Sequence, residues 1–179
     1  MKIIHALEKY EKKLDEIAVF MAGGMGNIDW HKEFLETLSK FPLDNMVIYN
    51  PYNPEIKSAY EQIFWEFKYL NDYVEDQFIF SIYFDKYTDQ PVSMYELGRA
   101  LALAESKSIS LEYGNSGINI PIVKGFPCVV SVHEDAPKKT DIIIQTGIAH
   151  QTASVRTPKE HAFAVIKEYN RMERRICRK

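Results

Sequence analysis

Apolar positions along the chain follow two rhythms. Compact apolar runs occupy residues 17–22, 46–49 and 77–84, closed respectively by Gly23-Gly24, by Asn50-Pro51-Tyr52-Asn53-Pro54 and by a polar loop over 85–91. Runs of that length ended by turn residues read as buried parallel strands. Between them the period becomes helical. Trp30, Phe34, Leu35 and Leu38 share one face, with Asn27 or Asp29 as cap and Phe41-Pro42 as stop. Residues 56–70 predict a helix with Tyr60, Ile63, Phe64, Phe67 and Leu70 inward, and residues 92–105, rich in Leu and Ala, predict another. Thr157-Pro158-Lys159-Glu160 opens a last helix running to about Arg175, with Thr as cap, Pro first inside and acid in the first turn. Ile3, Ile4, Leu7, Tyr10 and Leu14 predict a helical arm over 1–16. Residues 108–113 and 141–146 read as a fourth and a fifth strand, and the Gly- and Pro-bearing stretch 114–139 as an irregular insertion. Strands alternating with helices give an α/β fold, with a small, mostly parallel five-stranded sheet covered on both faces, in one domain over 1–179.

Composition narrows the partners. With 46% hydrophobic residues, 13% aromatics and a net charge of −3, the chain can bury a core and is not a disordered polymer. The one basic cluster is the tail Arg171, Arg174, Arg175, Arg178, Lys179, against a pI near 6.0, so a nucleic-acid polymer is not the expected partner. No apolar run approaches the roughly 18 residues of a membrane span, and the charged start MKIIHALEKYEKKLDE lacks a signal peptide's apolar region. Cys128 and Cys177 form no disulfide framework and read as free thiols in a reducing, cytoplasmic setting. The five histidines show no metal-ligand spacing and read as core or surface residues; His150 alone follows a predicted strand near the site edge.

In a parallel sheet, ligands bind beyond the carboxyl ends of the strands. This rule selects the loops after residues 22, 49 and 84. Four segments there carry chemistry. In Ala22-Gly23-Gly24-Met25-Gly26-Asn27 the glycines let backbone approach a ligand, although a tight strand-to-helix turn explains them equally well. Asn50 and Pro51 open a loop of fixed backbone that lines a pocket or simply connects. Glu66, beside Trp65, has the apolar Ile63 and Leu70 at helical spacing, which sets it at the edge of the buried stripe rather than on a solvated face. In Ser93-Met94-Tyr95-Glu96-Leu97-Gly98-Arg99-Ala100, Glu96 sits in a first turn, where it either balances the helix dipole or faces the ligand. Gly98 inside a helix costs up to about 1 kcal/mol against Ala, which a close contact with another element or a ligand would explain. Tyr83, Tyr87 and Tyr95 offer rings to a base or to the core. Two carboxylates at one cleft suit glycosyl chemistry when they lie roughly 5–9 Å apart across it. A Glu96 locked to Arg99, with no pocket, would instead suit a binding module.

Five segments in order, VFMAGGMG followed by Trp30, then VIYNP, QIFWE, YELGRA and DIIIQTGIA, resemble the nucleoside 2-deoxyribosyltransferase family over about residues 17–149. YELGRA is also similar to the related 2′-deoxynucleoside 5′-monophosphate N-hydrolases. The resemblance implies a Rossmann- or flavodoxin-like three-layer sandwich. It implies cleavage of the N-glycosidic bond of a nucleoside or nucleotide, without metal or cofactor, in a homo-oligomer whose neighbouring subunits complete the pocket. The 1–16 arm and the 114–139 insertion are the expected contacts. By the same resemblance Glu96 is the nucleophile attacking C1′ and Glu66 the second acid, where the family usually has Asp. Ala22, Gly23, Gly24, Met25 and Asn50 line the sugar or base pocket, and Ser93 meets a 5′-hydroxyl or 5′-phosphate. Gln90 stands six positions before Glu96, where transferases often carry an aspartate that reads the base, and Asp89 is one residue further away. Asp72 and Asp76 flank the place of the acid that commonly ends the second helix. The glycosyl-enzyme then passes its sugar to a second base or to water. The alternative is a non-catalytic nucleotide-binding or sensing module of the same fold.

Overall fold

The computed structural model describes residues 1–24, 29–70, 77–87, 89–112, 126–149 and 151–177, with side chains described outside 105–112. Six strands, β1 (Lys2–His5), β2 (Ile17–Gly23), β3 (Met46–Asn50), β4 (Phe78–Phe84), β5 (Cys128–Val132) and β6 (Ala153–Val155), form one sheet in the order β1-β3-β2-β4-β5-β6. Every pairing is parallel. From β3 to β6 this is the flavodoxin order 2-1-3-4-5, whose switch point lies between β2 and β4. The helices are α1 (Asp29–Leu38), α2 (Ala59–Leu70), α3 (Pro91–Glu112), α4 (Lys139–Ile148) and α5 (Pro158–Ile176).

Central strands β2, β3 and β4 are apolar on both faces because both are covered. On one face Phe20, Tyr49, Phe78 and Phe80 pack with Trp65 and Tyr69 of α2, Leu97 of α3 and Ile142 of α4. On the other, Val19, Met21, Ile79 and Tyr83 pack with Trp30 and Phe34 of α1 and Val165 and Tyr169 of α5. The result is a three-layer sandwich.

Several local expectations are corrected. Among the described residues the sheet has six strands rather than five. Residues 141–146 belong to α4: a short apolar run fits helix or strand, and β-branched Ile142, Ile143 and Ile144 bias the reading toward strand. Residues 108–112 continue α3, and the missing strand is β5, inside the stretch read as an irregular insertion. The N-terminal arm is not a helix. Its first residues add β1 to the sheet beside β3, where ladder hydrogen bonds outweigh a weak helical period. The arm then crosses α2. The Tyr10 backbone N–H donates to the Tyr69 hydroxyl at 2.9 Å, the Trp65 indole N–H donates to the Glu8 carbonyl at 2.9 Å, and Lys2 and the Tyr10 hydroxyl both bond the buried Glu16 carboxylate. Finally, α2 is rotated from the face its apolar period predicts. It buries Trp65, Glu66, Tyr69 and Leu70, while Tyr60, Ile63, Phe64 and Phe67 are exposed. Both cysteines are free thiols, Cys128 buried and Cys177 exposed. No described helix is long and apolar enough to cross a membrane.

Candidate active site

A cleft of about 380 Å³ opens at the carboxyl ends of β2, β3 and β4, against the switch point of the sheet. Its floor is Gly23, Gly24 and Pro51; α2 gives Ala59, Gln62, Ile63 and Glu66; the β4–α3 loop and α3 give Asp89, Gln90, Pro91, Val92, Ser93 and Glu96.

Each element is built to hold its residues there. Gly23 has φ +143°, and a Cβ on it would lie 2.5 Å from the Tyr83 carbonyl oxygen and 2.6 Å from the Trp30 ring. A Cβ on Gly24 would meet Gln90 Cδ at 2.7 Å and Asp85 Oδ2 at 2.9 Å. Gly23 therefore admits only glycine, a side chain at Gly24 would have to displace the Gln90 and Asp85 side chains, and the Trp30 indole N–H fixes the turn further by donating to the Gly24 carbonyl at 2.9 Å. Pro51 is set by its neighbours: Asn50 Oδ1 accepts from the Tyr52 N–H at 3.0 Å, and Asn53 Nδ2 donates to the Ala6 carbonyl at 2.9 Å. On α2, positions 59, 62, 63 and 66 recur at i, i+3, i+4 and i+7 and present one stripe to the cleft. On α3, Pro91 opens the helix, the Met94 N–H donates to the Gln90 carbonyl at 3.0 Å, and Ser93 and Glu96 follow one turn apart on the cleft side.

The two glutamates face the same space from different helices, with relative exposures of 9% for Glu66 and 8% for Glu96. The Glu96 carboxyl is pushed up to about 8, first by burial and then by the nearby Glu66 charge. Glu66 is raised too, by burial, against the opposing effect of the 2.9 Å hydrogen bond it accepts from Gln62 Nε2. Each carboxylate's charge opposes ionisation of the other, so the pair favours keeping a proton over ionising twice. That is the division of labour glycosidic cleavage uses: one carboxylate to meet positive charge, one proton for the leaving group. Among the described residues Glu96 has no ion-pair partner, and the Arg99 guanidinium lies over the Phe67 ring, 4.3 Å from its centroid. Also among the described residues, no three His, Cys, Asp or Glu side chains are grouped to hold a metal ion.

Of the residues selected from sequence, Gly23, Gly24, Pro51, Glu66, Asp89, Gln90, Ser93 and Glu96 meet at the cleft. Ala22 is the buried strand residue just before it, and Asn50 braces the loop from below. Trp65 points away, its indole tied to Glu8. Gly98 is exposed, and a Cβ there would meet no atom within 4 Å. Tyr83 is core, its hydroxyl donating to the Arg156 carbonyl at 3.1 Å, while Tyr87 and Tyr95 are exposed. Met25, Asn27, Asp72, Asp76 and His150 lie outside the described residues. Sequence reading missed Ala59, Gln62, Ile63, Pro91 and Val92 as wall residues. The signal was present in Gln62 and Glu66, whose i, i+4 spacing favours a side-chain hydrogen bond.

A family model described as nucleoside 2-deoxyribosyltransferase like matches residues 16–113, from the residue before β2 to just past α3. No curated protein matches the chain. Every residue lining the cleft falls within the matched segment. The chain belongs to the nucleoside 2-deoxyribosyltransferase-like family.

Proposed function

We infer that this protein cleaves the N-glycosidic bond of a nucleoside, with Glu96 as nucleophile and Glu66 as its partner acid. The observation that carries the reading is the pair of buried glutamates that line one cleft at the strand carboxyl ends. As the base departs, positive charge grows on the anomeric carbon. That charge favours the anionic form of Glu96. A Glu96 oxygen bonds to C1′, the C1′–N bond breaks with its electron pair on the base, and the proton displaced from the glutamate pair passes to the base. A second base or a water then attacks C1′ from the opposite side and frees Glu96. Two inversions give net retention.

Charge favours a nucleoside over its 5′-monophosphate. The wall carries Glu66, Asp89 and Glu96 and, among the described lining residues, no Lys, Arg or His. Each like charge about 8 Å from a phosphate charge opposes it by about 2 kcal/mol at an effective dielectric of about 20. The N-terminus of α3 returns only about 0.3–1 kcal/mol to an anion.

The test is a panel of deoxynucleosides and their 5′-monophosphates incubated with the protein, with and without free adenine or cytosine. Chromatography reads released base and any new nucleoside. Base release from nucleosides that vanishes in Glu96→Ala supports the reading; a new nucleoside defines a transferase and free base alone a hydrolase. No release from any substrate refutes it.

A further inference from the structure

A second cavity, also of about 380 Å³, opens beside α5 at the starts of β5 and β6 and shares no lining residue with the cleft. Its volume is that of a small-ligand pocket. Its charge is opposite to the cleft's: Arg156, Lys167 and Arg171 against the single acid Glu168. Arg171 Nε pairs with Glu168 Oε2 at 3.1 Å. Arg156 and Lys167 keep their charges uncancelled, for neither has a carboxylate within ion-pair distance among the described residues.

Arg156 is built into the fold. Its side chain is half-buried, and burial pushes the guanidinium below its ordinary range, an effect that Glu160 only partly opposes from beyond ion-pair distance. Nη1 donates to the Ser131 hydroxyl at 3.0 Å and to the Val130 carbonyl at 3.4 Å, both uncharged. A guanidinium only donates, so the Ser131 hydroxyl can donate in turn to His161 Nδ1 at 2.7 Å, and His161 Nε2–H to Ser81 Oγ at 2.9 Å. Ser81, Ser131 and His161 are all at 0% exposure. A chain of neutral groups anchored in the core therefore orients the guanidinium without neutralising it. A partly desolvated cation with no counter-charge is unfavourable for the free protein, and a bound anion would relieve it.

We propose that this cavity binds the phosphoryl group of a small ligand, with Arg156 as the oriented fork and Lys167 as the second cation. A phosphate monoester carries about −1.5 to −2 charge at pH 7 and three acceptor oxygens. That matches two uncancelled cations better than the single charge of a carboxylate. The planar fork of arginine meets two of those oxygens at once, and lysine adds a point charge. Gln151 and Thr152 bring uncharged polar side chains to the same wall. The site stands apart from the glycosidic reading, because the acidic cleft would repel the group that this cavity attracts.

The experiment titrates the protein with inorganic phosphate, ribose 5-phosphate and ribose, none of which has an N-glycosidic bond to cleave. Calorimetry reads affinity, and thermal melts read both folding and stabilisation by the ligand. The two phosphates are expected to bind at one site per chain and ribose is not. Tighter binding of ribose 5-phosphate identifies the ligand as a phosphate ester, and equal binding identifies it as free phosphate; either supports the site. Arg156→Gln is expected to weaken binding by about 10- to 100-fold, the loss of hydrogen bonds from a charged donor. Lys167→Gln, at an exposed position where folding is not at stake, is expected to weaken it by about 2- to 5-fold. The double variant Arg174→Gln/Arg175→Gln removes two exposed cations from outside the cavity and is expected to leave affinity within twofold of wild type. An equal loss in that double variant would mean diffuse attraction to a basic surface and would overturn the proposal. So would binding that survives in both Arg156→Gln and Lys167→Gln, or no binding of either phosphate by wild type.

Discussion

Helices α2 and α5 cover opposite faces of one sheet and follow opposite rules. In α5 the Thr157 hydroxyl and the Glu160 carboxylate form a capping box, and Ala162, Val165, Ile166, Tyr169 and Met172 go inward at helical spacing. Its one buried polar residue, His161, is held at both ring nitrogens, Nδ1 to Ser131 Oγ at 2.7 Å and Nε2 to Ser81 Oγ at 2.9 Å, and burial keeps it neutral, down to about 3. In α2 a glutamate is buried while four large apolar side chains are exposed. The sequence pattern predicts burial on α5 because packing alone decides it. On α2 the inward face is shared with a cleft, and the cleft asks for an acid where the core would ask for leucine. Disagreement between period and burial marks the cleft side of the sheet.

The contrast breaks first at the carboxylates. Glu96→Gln is expected to lower base release by at least about 10³-fold, and Glu66→Gln by about 10²-fold. Neither loss comes with unfolding. A carboxyl whose pKa is raised in the folded state stabilises fully below its ordinary 4.5 and loses that stability as pH rises through about 8. The melting temperature of Glu96→Gln is therefore expected to gain on wild type between those values, and an unchanged gap would remove the burial argument. On α5 the signs reverse. Tyr169 is fully buried, and Tyr169→Ala is expected to cost about 3–5 kcal/mol in chemical denaturation while sparing turnover per folded molecule.

Next in size is the pH profile. The other acids lining the cleft are Glu66 from α2, whose charge raises Glu96, and the exposed Asp89 from the loop before α3. A nucleophile must be anionic, so kcat/KM is expected to fall about tenfold per unit as pH drops below about 8. In Glu66→Gln the like charge is gone and that acid limb is expected to move to lower pH. An acid limb that stays in place would mean burial alone raises Glu96.

Much of this was legible in the residues because local and global cues agreed. Gly23 ends β2 and meets the Tyr83 backbone so closely that no side chain fits, Gly24 packs on Gln90, and the same glycines close the apolar run in sequence. Thr157-Pro158-Lys159-Glu160 opens α5 as its chemistry dictates. Glu96 could be picked because it sits in a first turn after a strand end, whereas the stripe that points to Glu66 has Leu70 buried but Ile63 exposed. What failed was long-range. β1 exists only because β3 offers it a free edge forty-five residues away, as Lys2 opposite Val47 shows, and no local period reports that. The Ile142-Ile143-Ile144 run fits either structure until neighbours choose. The neutral partnering of the Arg156 guanidinium was invisible, because partnership is a property of the assembled fold.

The smallest expected effect sharpens the contrast most. Tyr60 and Phe64 are 78% and 63% exposed on α2, and both sit on the groove that the N-terminal arm borders through Leu7 and Glu8. If their only neighbours are in this chain, Tyr60→Gln and Phe64→Gln change stability by less than about 0.5 kcal/mol, since little apolar surface is withdrawn from water there. Glutamine keeps helix propensity, so the backbone contributes little to the comparison. The same substitutions on a face covered by a second copy would cost far more, and the loss would grow with dilution because mass action couples folding to assembly. Denaturation curves at two protein concentrations separate the cases. Coincident curves for wild type and variants would leave α2 as a helix whose outer aromatics face water. Concentration-dependent curves, lost in Phe64→Gln, would mean the period of α2 was correct after all and the surface it predicts to be buried is buried by another molecule.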